Sequence, residues 1–148
     1  MKEIWKPVYT RGFSHLYEVS NLGRVRSKER WLRQTHPKRP ERIYTYHYKG
    51  RVLKLGADKD GYAIAVFCKK RYVRVTIKVH QLVARAFCKG YKRGLEVNHK
   101  NGVKNDNFYK NIEWLTPGKN QEHRYRVLGG LHPRTGKVCR TFLGAAHA

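Results

Sequence analysis

The chain has 148 residues, which suits one compact domain or two small modules that share modest cores. Its 33 lysine and arginine residues outnumber 10 aspartate and glutamate residues, and the formal net charge is +23. A charge of this size favours a polyanionic partner, of which nucleic acid is the first candidate. An anionic membrane surface is the alternative, but the sequence has no amphipathic basic helix and no apolar run of spanning length, so no membrane association is expected.

The cysteines and the first residues narrow the class of protein further. Cys68, Cys88 and Cys139 are widely spaced and form no Cys-x-x-Cys pair, which argues against a disulfide framework and a structural zinc ribbon. The opening residues, MKEIWKPVYT, lack the apolar core of a signal peptide. We expect a cytoplasmic protein with reduced thiols and no structural zinc.

The first 27 residues predict a short β-hairpin. An alternating aromatic and β-branched segment at 17–19 leads into a turn from Asn21 to Gly23, after which the strand pattern resumes. The next segment, 28–50, is basic, contains two prolines and has no clear period. It predicts a loop or arm that becomes ordered on DNA.

Residues 51–78 have a strand-like pattern broken by turns at 58–61 and 69–71. In the last strand, apolar side chains alternate with polar or cationic ones. The apolar set is Val73, Val75 and Ile77, and the opposite set is Arg74, Thr76 and Lys78. One face is expected to pack against the core and the other to be cationic. A cationic face fits an antiparallel ribbon in a major groove. An ordinary solvated face would give the same pattern.

A short amphipathic helix is predicted next. Its apolar residues, at helical spacing, are Val79, Leu82, Val83, Ala86 and Phe87. His80 starts this helix, where we expect a capping or core-edge role rather than catalysis.

The segment 96–124 concentrates the residues that suggest chemistry. It reads as a strand, an Asn/Gly-rich loop, a second strand and, after Pro117, a helical run. Asn98 and His99 fall at the end of the first strand, and Asn120 falls near the start of the helix. A hairpin folded against that helix would bring these three side chains together. Turn formation alone explains the remaining polar or small loop residues, which are Asn101, Gly102, Asn105 and Asn107.

Five blocks of the sequence carry a family likeness. They are Val79-His80-Gln81-Leu82-Val83-Ala84, Lys89-Gly90-Tyr91 through Gly94, Val97-Asn98-His99-Lys100, Asn111-Ile112-Glu113-Trp114-Leu115-Thr116, and Asn120. In order and spacing they resemble the HNH endonucleases with a ββα-metal fold, and especially the intron-encoded nicking enzymes of bacteriophages. Residues 5–27 resemble the modular DNA-binding motif, of the Tyr-Glu-Val-Ser-Asn-x-Gly-Arg-Val-x-Ser kind, that often precedes such nucleases.

The resemblance implies a site-specific, homing-type endonuclease that hydrolyses a phosphodiester bond of DNA. A lone active site on a monomer would cut one strand, so we expect nicking, with a double-strand break as the alternative. It implies that His99 is the general base and that Asn98 and Asn120 hold one Mg²⁺ or Mn²⁺ ion. Asn111 would stabilise the loop and orient His99 as part of the catalytic set. If a phage encodes the chain, the protein would act in the cytoplasm of the host cell.

Two positions depart from the usual pattern of these enzymes. Asn98 is neutral where many relatives have aspartate, so the DNA phosphate would supply most of the negative charge at the metal, and metal affinity without DNA should be poor. The third position of the HNH name is Asn120 instead of histidine. His123 lies on roughly the same helix face as an auxiliary candidate, although a plain surface histidine is the simpler interpretation.

The expected partner is double-stranded DNA, bound by a monomer without an obligate protein partner. The cationic residues expected to face the DNA are Arg24, Arg26, Arg71, Arg74, Lys78, Lys100 and Lys104. A sequence-specific DNA-binding protein without cleavage and a structural RNA-binding protein are the alternatives, but neither needs Asn98, His99 and Asn120 together.

The predicted fold class is α+β, with a β-rich N-terminal DNA-binding region followed by a ββα-metal nuclease core. The predicted units are a nuclease-associated motif (1–27), a basic arm or loop (28–50), an antiparallel β DNA-binding region (51–78), the HNH nuclease core (79–130) and a C-terminal tail (131–148). This division assigns recognition to residues before 79 and catalysis to those after. It implies that slow, poorly selective nicking survives removal of residues 1–50 if the remainder folds.

Overall fold

The computed structural model describes residues 1–70, 73–127 and 129. Its strands are β1 (Trp5–Pro7), β2 (Tyr17–Ser20), β3 (Val25–Ser27), β4 (Arg30–His36), β5 (Arg39–Tyr48), β6 (Arg51–Val52), β7 (Gly56–Ala57), β8 (Ala63–Lys70), β9 (Val73–Lys78), β10 (Glu96–His99) and β11 (Ile112–Leu115). The helices are α1 (Val79–Phe87), a 3₁₀ turn (Tyr109–Asn111) and α2 (Pro117–Val127). The predicted tail at 131–148 lies outside the described residues.

The N-terminal segment forms a four-stranded antiparallel sheet in the order β1-β2-β3-β6. β2 and β3 are the hairpin that the sequence predicts, and the backbone N–H of Gly23 donates to the Ser20 carbonyl at 3.1 Å to close its turn. Gly23 has a φ of 80°, which glycine adopts without the steric cost that a side chain would add. The turn therefore depends on glycine at this position.

The segment 28–50, predicted to be a loop or arm, forms an antiparallel hairpin of β4 and β5. Arg30 pairs with Tyr48, and the rings of the opposed Trp31 and His47 stack with their centroids 4.3 Å apart. Every residue of β5 is exposed, so the strand has no buried face and shows no hydrophobic period. The prediction of an irregular loop is therefore wrong. Cross-strand pairing and aromatic contacts stabilise this hairpin although it buries few side chains.

The predicted strand region 51–78 is divided between two sheets. β6 joins the N-terminal sheet, whereas β7, β8 and β9 form a separate antiparallel sheet in that order. The predicted turn before β8 is present, and Asp58 Oδ1 accepts hydrogen bonds there from the backbone N–H groups of Asp60 and Tyr62 at 3.0 and 2.8 Å. Before that turn, the predicted strand pattern is limited to two short pairings, at Arg51–Val52 and at Gly56–Ala57.

β9 shows most of the predicted alternation. Val75 and Ile77 pack against the core, while Arg74 and Thr76 are exposed. Val73, at the start of the strand, is exposed as well. The polar side of β9 therefore faces away from the core, as the sequence pattern predicts.

The C-terminal part has the predicted order of strand, loop, strand and helix. β10 and β11 pair antiparallel, with Asn98 opposite Glu113 and His99 opposite Ile112, and α2 packs against β10. α1 precedes this unit and presents a buried apolar face to it and to the upstream sheets. Apolar periodicity predicted α1, whereas α2, which has no buried residue, was predicted as the helical run after Pro117.

One hydrophobic core joins the upstream strands to the C-terminal unit. Its buried members are Val8, Phe13, Leu16, Tyr17, Val19, Val25, Ala65, Phe67, Val79, Leu82, Val83, Ala84, Ala86 and Ile112. Tyr17 of β2 stacks on Phe67 of β8 with centroids 4.3 Å apart, and its hydroxyl bonds both backbone groups of Cys68 at 3.0 Å. In the described part of the chain, neither helix is long and apolar enough to cross a membrane.

Candidate active site

The cleft between β10, α2 and the turn before β8 has a volume of about 600 Å³. Four residues singled out in the sequence line it together: Asn98, His99, Asn120 and His123. The antiparallel pairing of β10 with β11 places the first two at the end of β10, and the packing of α2 on β10 brings in the other two. The convergence expected from the sequence is therefore present in the fold.

Asn98 and Asn120 are held by two glutamates in the same way. Asn98 Nδ2 donates to Glu113 Oε1 at 2.9 Å, and Asn120 Nδ2 donates to Glu96 Oε2 at 2.6 Å. Each amide therefore has its NH₂ group committed to a carboxylate, and its oxygen is the atom left to bind a cation. Sequence reasoning missed both glutamates, although Glu113 lies directly opposite Asn98 and Glu96 lies two residues before it on the same strand face.

The His99 imidazole is only 5% exposed, and its Nε2 lies 3.2 Å from Asn107 Oδ1. Asn107 Nδ2 donates to the Asn105 carbonyl at 3.1 Å, which turns Oδ1 towards His99 as an acceptor. His99 Nε2 therefore carries the proton, and Nδ1 keeps the lone pair in the neutral ring. Burial lowers the pKa of His99, so the neutral form is favoured near neutral pH.

Asn107 is a functional candidate that the sequence interpretation assigned to the turn alone. It is buried, at 5% exposure, and forms the contact to His99 across the loop. No local pattern separates it from the other asparagines of the loop, because its partner is a long-range neighbour within the folded hairpin.

His80 is a second buried histidine beside the site, also 5% exposed. It lies in the first turn of α1, and the capping position is taken by Lys78, which makes no side-chain capping bond. The His80 ring contacts His99 edge to face at 5.0 Å between centroids and Tyr62 at 4.9 Å. Burial, and then the neighbouring His99, lower the pKa of His80 to about 3, so it stays uncharged. Of the described side chains, only His80, at Nδ1, has a buried polar atom without a hydrogen-bond partner.

Asn111 stabilises the loop between β10 and β11. Its Nδ2 donates to Asn101 Oδ1 at 2.9 Å and to the Asp106 carbonyl at 2.8 Å, while its Oδ1 accepts from the Asn101 backbone N–H at 3.0 Å. These bonds hold the loop that contains Asn107. Asn111 therefore acts on His99 through the loop that contains Asn107, whereas Asn107 contacts His99 itself.

His123 connects α2 to the same loop. Its Nε2 lies 3.0 Å from the carbonyl oxygen of Lys100, which can only accept, so Nε2 is the donor. His123 is partly buried and lines the cleft. This contact gives it a structural part in the site, beyond that of a plain surface histidine.

Arg24 and Arg26, expected to contact DNA, have partners within the N-terminal sheet. Arg24 pairs with Glu3, and Arg26 pairs with Glu18 at 2.7 Å. The Arg26 guanidinium also lies over the Trp5 ring, 4.3 Å from its centroid. A phosphate would have to compete with two carboxylates for these groups.

Lys78 and Lys104 both line the cleft. Lys78 pairs with Asp58 at 3.1 Å and lies 4.0 Å from the centroid of the Tyr62 ring, and Lys104 donates to the Asp60 carbonyl at 2.7 Å. Two of the cations expected to contact DNA are thus placed beside the candidate catalytic residues.

Two other cations expected to contact DNA are outside the lining of this cleft. Arg74 and Lys100 are exposed, and Arg71 lies outside the described residues. Sequence reasoning missed Arg124, which lines the main cleft, and Arg85, which lines an adjoining cleft of about 380 Å³. Both residues are in the last turn of their helix, where cations are favoured by the helix dipole. Their presence there therefore does not by itself indicate a functional site.

Known proteins resemble this chain in sequence. Residues 3–68 match a family model described as the NUMOD4 motif. The DNA endonuclease I-HmuI of Bacillus phage SP01 is 36% identical over 121 residues, which are 81% of this chain and 56% of that protein. The uncharacterized HNH endonuclease L245 of Acanthamoeba polyphaga mimivirus is 30% identical over 107 residues, which are 72% of this chain and 26% of that protein. The chain therefore spans only part of the length of these relatives.

A solved structure agrees with the sequence comparisons. The structure describing DNA binding and cleavage by the HNH homing endonuclease I-HmuI matches with a TM-score of 0.63 and 32% identity, over 87% of this chain and 61% of that one. The match confirms the predicted α+β fold and the family resemblance. Over most of its own length the chain is a homologue of the HNH homing endonuclease I-HmuI, and its N-terminal part matches the NUMOD4 motif.

Proposed function

We propose that the chain is a site-specific, homing-type DNA endonuclease that hydrolyses a phosphodiester bond and nicks one strand of double-stranded DNA. One observation carries the proposal: Asn98, His99 and Asn120 line a single cleft, with His99 buried and its Nε2 engaged. The homologue whose DNA binding and cleavage have been described supports it.

His99 acts as the general base in this proposal. Its Nδ1 lone pair takes a proton from the water that attacks phosphorus, and the Nε2–H bond to Asn107 fixes which nitrogen does so. Burial lowers the pKa of His99, so the base form is available near neutral pH. The adjacent His80 is uncharged under the same conditions, so it adds no positive charge beside the imidazolium that forms.

Asn98 and Asn120 hold one divalent metal ion. Their amide oxygens are hard donors, which favour Mg²⁺ or Mn²⁺, and no structural zinc is part of the proposal. When bound, such an ion stabilises negative charge on the phosphate and the leaving 3′ oxygen. Glu113 and Glu96, behind the two neutral ligands, add negative potential that partly replaces the aspartate common in relatives.

The exposed cationic surfaces contact the DNA. The β4–β5 hairpin combines exposed aromatic rings with cations, and its exposed cations are Arg33, Lys38, Arg39 and Arg42. A two-stranded ribbon of this kind fits a DNA groove, while Lys78 and Lys104 hold the phosphate beside the cleft. The protein binds as a monomer, and its single site cuts one strand.

Relaxation of supercoiled plasmids that carry a randomised target library tests the proposal. The parental protein should produce open circles with Mg²⁺ or Mn²⁺ and none with a chelator. His99→Ala should cut about 10²- to 10⁴-fold more slowly with DNA affinity nearly unchanged. His15→Ala, which alters an exposed histidine outside the cleft, is the matched control and should cut at the parental rate.

Cutting by His99→Ala at the parental rate would overturn the assigned base. DNA binding without cleavage under every metal condition would favour the alternative of a binding protein. Linear products at low enzyme concentration would contradict the nicking part of the proposal.

A further inference from the structure

The turn of the N-terminal hairpin packs directly against the residue that contacts His99. A Cβ atom added to Gly23 would lie 2.6 Å from Asn107 Cβ and 3.0 Å from the Asn107 carbonyl oxygen. No side chain fits between the two backbones. Position 23 therefore requires glycine for two reasons: its φ is 80°, and its backbone lies too close to Asn107 for a side chain.

A hydrogen bond fixes the same junction on its other side. The backbone N–H of Tyr109 donates to the Asn21 carbonyl at 3.0 Å. Asn21 is buried, and its Oδ1 accepts from the Ile4 backbone N–H at 2.8 Å, which anchors the turn to the start of the chain. The turn at 21–23 therefore contacts the nuclease loop on both sides of Phe108.

Asn107 in turn contacts His99. Its Oδ1 lies 3.2 Å from His99 Nε2, and its Nδ2 bonds the Asn105 carbonyl at 3.1 Å. Both side chains are buried, so water does not readily replace Asn107 as the acceptor. A displacement of the Asn107 backbone would move this acceptor relative to the ring.

We propose that the 21–23 turn of the NUMOD4 motif positions the His99 imidazole through Asn107, so that the motif is a working part of the active site. Asn107 is a positioning residue: it sets the tautomer and orientation of the ring and does not touch the DNA. The inference rests on the proposed function, in which His99 is the base. It adds to that function a role for a segment expected only to bind DNA.

The first test replaces the acceptor. Asn107→Leu keeps roughly the volume of the side chain but offers no acceptor to Nε2–H, whereas Asn107→Asp keeps one. We expect Asn107→Leu to lower the single-turnover cleavage rate about 10- to 100-fold, within the range of general-base catalysis, with the DNA dissociation constant unchanged. Asn107→Asp should restore most of the rate. A folded Asn107→Leu variant that cuts at the parental rate would overturn the proposal.

The second test reaches the turn. Gly23→Ala should lower the cleavage rate, and Gly90→Ala is its matched control, because Gly90 also has a positive φ, 88°, but has open space around the added Cβ. Equal effects of the two substitutions would reduce the role of Gly23 to backbone strain and overturn the positioning role of the turn. If Gly23→Ala does not fold, the Asn107 variants and the next measurement still decide the role of Asn107.

The third test does not depend on cleavage. Nitrogen-15 chemical shifts of the imidazole, assigned by comparison with His99→Ala among the 8 histidines, report the tautomer of His99. We expect protonated Nε2 alone in the parental protein and a mixture of tautomers in Asn107→Leu. The same tautomer in both would overturn the proposal. A clear tautomer change with no effect of His99→Ala on cleavage would instead remove the proposed base and leave the contact intact.

Discussion

Two hairpins of this protein have the same topology and opposite surroundings. β10–β11 carries the candidate catalytic residues and is enclosed by α1, α2 and the loop, with Asn98 and His99 buried. β4–β5 is longer, and every residue of β5 is exposed. The neighbours of the first hairpin fix its side chains, whereas the second leaves its surface exposed, where DNA would bind in the proposed function. The difference indicates that catalysis is to be sought at β10–β11 and adaptable contact with DNA at β4–β5.

The largest expected effect separates the shared core from the exposed hairpin. Removing residues 1–50 deletes Val8, Phe13, Tyr17, Val19 and Val25 from the core, so the truncated chain should not fold. Thermal unfolding followed by circular dichroism should show no cooperative transition. The sequence alone suggested that such a chain keeps slow nicking if it folds, and the shared core is the reason to expect that it does not fold.

The matched control replaces residues 29–49 with two glycines. The two ends of this segment are close, because Arg30 pairs with Tyr48. This variant should fold and keep the cleft while losing much of its DNA affinity. A truncation without residues 1–50 that unfolds cooperatively would show that the two halves have separable cores.

The proposed metal ligands provide the next test. Asn120→Ala should lower cleavage about 10²-fold or more, because charge stabilisation by a metal contributes several kcal/mol. Asn98→Asp should keep activity and bind Mn²⁺ more tightly, as measured by calorimetry. Gln121→Ala changes the neighbouring exposed residue and should behave as the parental protein. Equal Mn²⁺ affinity of Asn120→Ala and the parental protein would remove Asn120 from the metal site.

The buried histidines should make the folded state sensitive to acid. The pKa of His80 falls from 6.5 to about 3 on folding, so the unfolded chain takes up its proton first. Stability is then fully present above the unfolded pKa and is lost as pH falls below 6.5 towards 3. Between about pH 7.5 and pH 5.5 the loss from His80 should be about 1 kcal/mol, and the lowered pKa of His99 adds to it.

Urea unfolding at the two pH values measures this loss of stability. His80→Leu should reduce the pH dependence, since the substituted side chain has no proton to gain. An unchanged dependence in that variant would mean that His80 is not buried as a neutral group.

The smallest expected effect concerns the exposed hairpin. Arg33→Ala and Arg42→Ala should each flatten the dependence of DNA affinity on salt by about one unit if each loses one phosphate contact. Arg24→Ala should change it less, because Arg24 already pairs with Glu3. Fluorescence anisotropy across a salt series measures the slope. A larger effect at Arg24 than at Arg33 would move the DNA surface from the hairpin to the N-terminal sheet.

What the sequence predicted correctly is mostly local. The turn at 21–23, the alternation of β9 and the order of elements around His99 all follow from short-range patterns, so they could be predicted. The convergence of Asn98 with Asn120 came from a motif whose spacing implies the fold. In each case one stretch of chain contains the whole signal.

The missed features depend on long-range contacts or on exposure. The β4–β5 hairpin buries little, so no hydrophobic period marks it. Asn107 and His80 belong to the site only because the loop and α1 meet His99 in three dimensions. The glutamates behind Asn98 and Asn120 could be found only once the strand register and the packing of α2 were known.

The contact between Gly23 and Asn107 has a consequence for the exchange of segments between related proteins. Because such a motif precedes many nucleases, it could be expected to be exchangeable between them as an independent unit. Here a unit ending near residue 68 would carry position 23 into a new host, whose nuclease loop must leave the same narrow gap for it. A chimaera that joins two relatives inside this chain should therefore inherit positions 23 and 107 from the same parent, and recombination that separates them is expected to give folded but poorly active products.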